Sequence, residues 1–104
     1  MESEYARAKK VYSWVIRNIR FKYYPGQQYS VEQVMKQKFA NSTDMSLLIQ
    51  ELLQRQLITD TKIMDCTCYG HPHQQVHARL DGRNHIIDPC CRKQTTLLLR
   101  EEDY

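Results

Sequence analysis

Apolar residues recur every three or four positions at the start of the chain: Ala8, Val11, Tyr12, Val15, Ile16 and Ile19. That spacing lines one face of an α-helix. Arg7, Lys9, Lys10, Arg17 and Arg20 fall mostly on the other side, where they read as a solvated basic face. Pro25-Gly26 is a turn dipeptide and ends this segment. Ser30-Val31-Glu32-Gln33 has the form of a capping box, so a short helix starts there, with Val31, Val34, Met35 and Phe39 as its apolar side. Asn41-Ser42-Thr43-Asp44 is a cluster of N-cap residue types. Behind it, Met45, Leu48, Ile49, Leu52 and Leu53 follow the i, i+3, i+4, i+7, i+8 rule. The spacing predicts an amphipathic helix from about Thr43 to Gln56, the most buried element of the fold.

The period then changes to two. Lys62 to Tyr69 alternates and is rich in Thr, Ile, Cys and Tyr, which predicts a strand. Gly70-His71-Pro72 reads as a turn. Val76, Ala78 and Leu80 alternate with His77 and Arg79 in a second strand. Asp81-Gly82 is a two-residue hairpin signal, because both central residues of a type I′ turn need positive φ. Asn84 to Asp88 forms a third strand, closed by Pro89, and Thr95 to Leu99 is a candidate fourth. Helices first and antiparallel strands second make an α+β fold. A central helix packs on a C-terminal sheet of three to four strands. No repeat or linker divides residues 1–104, so one domain is expected.

Composition narrows the function classes. The 104 residues are 41% hydrophobic and 26% charged, with only three Gly and three Pro, which excludes a low-complexity chain. Fifteen Lys+Arg against twelve Asp+Glu leave +3, too mild and scattered for a nucleic-acid footprint. No apolar run is long enough to span a membrane. The opening MESEYARAKK lacks the apolar core of a signal peptide, so a cytoplasmic location is the default expectation. Action on a cell wall after lysis, or within a longer protein, stays open, as does the oligomeric state.

All four cysteines and all four histidines fall between 66 and 91. With a two-residue Asp81-Gly82 turn, paired positions place Asp88 opposite Gln75. His71, His73 and His77 then share the face of Asp88, and His85 points to the other, outer face. An Asp beside a His fixes the imidazole tautomer and stabilises its cation. Alternation alone leaves His73 and His77 both open, and a plain surface hydrogen bond is the simpler reading of either pair. A nucleophile would be sheltered at Asn41-Ser42-Thr43-Asp44, where a helix start favours an anion; capping alone also accounts for those residues. A zinc module is the rival reading, from Cys66, Cys68, His71, His73, Cys90 and Cys91. Its C-x-C and C-C spacings do not match zinc knuckles, so no metal and no cofactor are expected. The cysteines read as buried packing residues in a reducing compartment, with one disulfide possible.

These residues resemble the transglutaminase-like branch of the cysteine-protease superfamily. Asn41-Ser42-Thr43-Asp44 is similar to its N-C-x-D helix start, with Ser in the place of Cys. The stretch from His73 through Asp81-Gly82 to Asp88-Pro89 is similar to its His-to-Asp segment, in register. Trp14-Val15-Ile16-Arg17-Asn18-Ile19 with Tyr23-Tyr24 resembles its first helix. The resemblance selects His73 over His77. It covers nearly the whole chain and is nearest to archaeal pseudomurein endoisopeptidases, which cut a peptide cross-link of methanogen cell walls. It implies a papain-like fold and a triad of Ser42, His73 and Asp88, with Asn41, Thr43 and Gln75 at the substrate. The implied reaction is hydrolysis or transfer at a peptide or isopeptide amide through an acyl-enzyme. Ser42 departs from the pattern and leaves three readings: an engineered Cys→Ser trap, a pseudoenzyme that binds without cutting, or a working serine variant. Gln75 and Asn84 stand where aromatic residues are usual.

Overall fold

The fold is taken from a computed structural model that describes residues 2–97. Three helices precede a three-stranded antiparallel sheet, so the chain is α+β. Helix α1 spans Glu4–Asn18 and is capped by Ser3, whose side chain accepts the Ala6 N–H. Helix α2 spans Val31–Gln37 and carries the full capping box between Ser30 and Gln33. Helix α3 spans Ser42–Arg55 with Asn41 as its N-cap. Strands β3 (Thr61–Cys68), β4 (His71–Leu80) and β5 (Arg83–Ile87) form the sheet in the order β3-β4-β5. Two short strands, β1 (Arg20–Phe21) and β2 (Phe39–Ala40), pair in parallel and join the segment after α1 to the start of α3. Two residues carry no periodicity, which is why this pairing escapes the sequence.

The core lies between the helices and one face of the sheet. Val15, Leu48, Ile49, Leu53, Val76, Leu80 and Ile87 are all buried in one cluster. Burying a side chain of this size contributes roughly 1.5–3 kcal/mol. Helix α3, with Met45, Leu48, Ile49 and Leu53 inward, is the central element.

The β4–β5 register follows the expected rule, with Leu80 opposite Arg83 and Val76 opposite Ile87. Asp81 and Gly82 both have positive φ, as the two-residue turn requires. The Asp81 carboxylate also accepts the Glu4 and Tyr5 N–H groups, tying the turn to the start of α1. The strand β4 starts earlier than expected. The preceding turn is Tyr69-Gly70, both at positive φ, and His71 and Pro72 belong to the strand.

Three further expectations change. Thr95–Leu97 is not a fourth strand; it lies along β5, but the Thr96 hydroxyl takes the Ile86 N–H and interrupts a regular ladder. Residues 98 and 99 lie outside the described residues. The cysteines are not all packing residues, because Cys68 and Cys91 form a disulfide that ties β3 to the segment after β5. His85 does not lie on an outer face. It pairs opposite buried Ala78, and its ring lies 5.2 Å from that of Tyr5 on α1, at the rim of the helix side.

Candidate functional site

Proline 89 cannot donate to a ladder, and β5 pairs with β4 only as far as Val76–Ile87. Beyond that point β4 has a free edge at Gln74, and the chain after β5 turns in with Asp88 buried. His73 Nε2 lies 2.9 Å from both carboxylate oxygens of Asp88. The side chains of this pair are 6% and 1% exposed. A buried carboxylate needs several donors, and Asp88 has them. Gln75 Nε2 donates to Oδ2 and the Cys91 N–H to Oδ1, each at 2.9 Å. With Nε2 committed to Asp88, Nδ1 is the ring nitrogen of His73 left for other partners.

Gln75 is itself buried and fully engaged. Its amide also donates to Gln94 Oε1 at 2.7 Å and faces His77 Nε2 at 2.8 Å through Oε1. Gln94 in turn donates to the Thr67 carbonyl. Gln75 therefore sits beneath Asp88 as part of a chain of hydrogen bonds across the sheet. His77 belongs to that chain too, four residues from His73 along the strand, and makes no bond to Asp88 among the described residues.

Ser42 is the first residue of α3. Its Oγ accepts the Gln74 N–H at 3.3 Å, at the free edge of β4. Among the described residues no hydrogen bond joins Ser42 to His73. Asn41 builds this helix start: its Oδ1 accepts the Asp44 N–H, and its Nδ2 donates to the Tyr24 and Gly26 carbonyls. Asp44 is 1% exposed and accepts from Tyr24 Oη at 2.6 Å and from the Gln28 and Tyr29 N–H groups. Burial, then the bond to Asp44, pushes the Tyr24 hydroxyl well above the usual tyrosine range. Asn41 and Asp44 thus hold the segment from Tyr24 to Tyr29 against the start of α3.

A cleft of about 960 Å³ opens over these groups. Ser42, Thr43, His73, Cys66 and Cys90 line it, with Tyr69 at its wall. Cys66 stands directly opposite His73 in the β3–β4 register. Burial, then the Asp88 charge, raises its thiol, and the same two causes raise that of Cys90. Both are free cysteines.

Of the expected residues, Ser42 and His73 both line the cleft, Asp88 is buried in contact with His73, and Ser42 Oγ is bonded to the N–H of Gln74, the residue after His73. Thr43 lines the cleft, Asn41 braces it and Gln75 supports Asp88 from below. Cys66 and His73 are grouped only in the rival zinc reading; their direct opposition across β3 and β4 is the feature that the sequence did not reveal. Pairing β3 and β4 through a Tyr69-Gly70 turn would have found it. No helix among the described residues is long and apolar enough to cross a membrane. Set against protein-family models, curated proteins and solved structures, the chain matches none of them.

Proposed function

We propose that this cleft serves acyl chemistry on an amide, of the transglutaminase-like type, with Ser42, His73 and Asp88 in the three triad positions. The observation that carries the reading is the buried His73–Asp88 pair, whose His73 lines a cleft that also holds the first residue of α3. A nucleophile at position 42 attacks the carbonyl carbon and gives its proton to His73 Nδ1. Asp88 orients the ring and stabilises its cation. The first backbone N–H groups of a helix have no partner within it; in α3 the Asp44 N–H is taken by the Asn41 cap, and the N–H groups of Ser42 and Thr43 serve the oxyanion. Collapse expels the amine with the proton from His73, and water or a second amine then releases the acyl group.

The substrate class is a peptide or isopeptide amide, including a cell-wall cross-link. Thr43 contacts it in the cleft; Asn41 and Gln75 act on the shape of the site from behind. The Cys68–Cys91 bond favours a setting where thiols are not kept reduced, such as an extracellular wall, over the cytoplasm. A second reading is a peptide-binding protein without turnover. It is favoured by the engagement of Ser42 Oγ with the Gln74 N–H rather than with His73.

The test is a Ser42→Cys variant treated with a thiol-reactive acyl probe. Labelling at position 42, lost on adding His73→Ala, supports the acyl reading. No labelling at position 42 sinks it and leaves the binding protein.

A further inference from the structure

We infer that Cys66, His73 and Asp88 form a binding site for a borderline-soft divalent cation of the zinc(II) type, where Cys66 and His73 line the cleft and Asp88 lies buried against His73. One ligand atom of each, a thiol sulfur, an imidazole nitrogen and a carboxylate oxygen, lies within 4.8 Å of the other two. Ligands around a tetrahedral zinc stand roughly 3.5 Å apart, given bonds of about 2.0–2.3 Å. Small side-chain rotations close the remaining distance. Two of the three ligands sit directly opposite each other on paired strands, so the backbone fixes their spacing.

The donor set selects the ion. Calcium and magnesium take oxygen ligands, and a site with one sulfur and one nitrogen serves them poorly. Sulfur, nitrogen and oxygen together suit zinc. The surrounding shell is present as well. Gln75 Nε2 and the Cys91 N–H hold the Asp88 carboxylate in place, the kind of outer support that orients metal ligands. The disulfide removes Cys68 and Cys91 from the available donors and leaves Cys66 as the thiol facing His73. Three protein ligands beside an open cleft leave the fourth position to water or to an incoming ligand.

On binding, the Cys66 thiol gives its proton to solvent and a zinc–sulfur bond forms. Zinc also replaces the hydrogen bond between His73 and Asp88, so it withdraws both from any proton transfer. The site does not rest on the acyl reading, because metal binding is measured without turnover.

The experiment uses the untagged chain with its disulfide intact. Zinc binding is followed by calorimetry, and cobalt(II) binding by the thiolate-to-cobalt charge-transfer absorption. One equivalent of each metal and a charge-transfer band are expected. Loss of an outer-shell partner alone costs about 10–100-fold in metal affinity, so Cys66→Ser should weaken zinc at least about 100-fold and abolish the band. Cys90→Ser should leave both unchanged. Absence of saturable binding at micromolar zinc overturns the site. So does a band that survives Cys66→Ser or disappears with Cys90→Ser.

Discussion

Gln75 Nε2 lies 2.9 Å from Asp88 Oδ2, and both residues are almost completely buried. The amide is thus a fixed donor to a carboxylate that has no water to turn to. A hydrogen bond to a charged group contributes about 1.5–3 kcal/mol. Gln75→Leu keeps the bulk and deletes the donor, and it is expected to destabilise the protein by that amount. Gln75→Glu should cost more, since it sets a second carboxylate against Asp88. Urea unfolding of the two variants checks the order; a Leu variant as stable as the parent would show that Gln75 only fills space.

Asn41 makes three bonds at once, one to the α3 backbone and two to the segment containing Tyr24 and Gly26. The cap alone contributes about 1 kcal/mol, and each further bond about the same. Asn41→Ala is expected to lose at least about 2 kcal/mol in chemical denaturation. Asn41→Asp restores the cap but not the two donors, and should recover only part of the loss.

The Cys68–Cys91 bond closes a loop with a sequence separation of 23. Loop-closure entropy assigns a cross-link of this span about 3 kcal/mol. Reduction should therefore lower the unfolding free energy by about that much and bring the melting temperature down. Thiol counting provides the companion measurement: two free thiols, Cys66 and Cys90, before reduction, and all four cysteines after it.

Tyr24 gives the alkaline behaviour. Burial and the bond to Asp44 raise its hydroxyl above the ordinary tyrosine value of about 10. The fold therefore favours the protonated form. Its contribution is complete below about pH 10 and is lost as pH rises toward the folded value. The urea midpoint should fall as pH rises from about 10 to 12, and fall less steeply in Tyr24→Phe, which has no proton to lose. Equal slopes in the two proteins would remove Tyr24 from the account.

Much of this architecture is written in local patterns. The apolar spacing behind Thr43 locates α3, the Ser30–Gln33 box locates α2, and the Asp81-Gly82 dipeptide fixes the β4–β5 register. The disulfide is another matter, because cysteine spacing does not determine connectivity. The β3–β4 turn was hidden for a different reason. Tyr69 has φ +51°, in a region that bulky side chains seldom adopt, so nothing local marks it as a turn residue. Placing the turn one residue late obscured the direct opposition of Cys66 and His73. The role of Asp44 was also invisible, since its partners lie 15 to 20 residues earlier.

The hairpin turn at Asp81-Gly82 has a consequence for descent. Side chains alternate along β5, so one inserted residue in the turn would send Asp88 to the opposite side of the sheet from His73. The same insertion would pull the Asp81 carboxylate from the start of α1. Insertions and deletions here are tolerated in pairs, or with a compensating bulge. Lineages that keep the buried pair should show that arithmetic in the lengths of this loop.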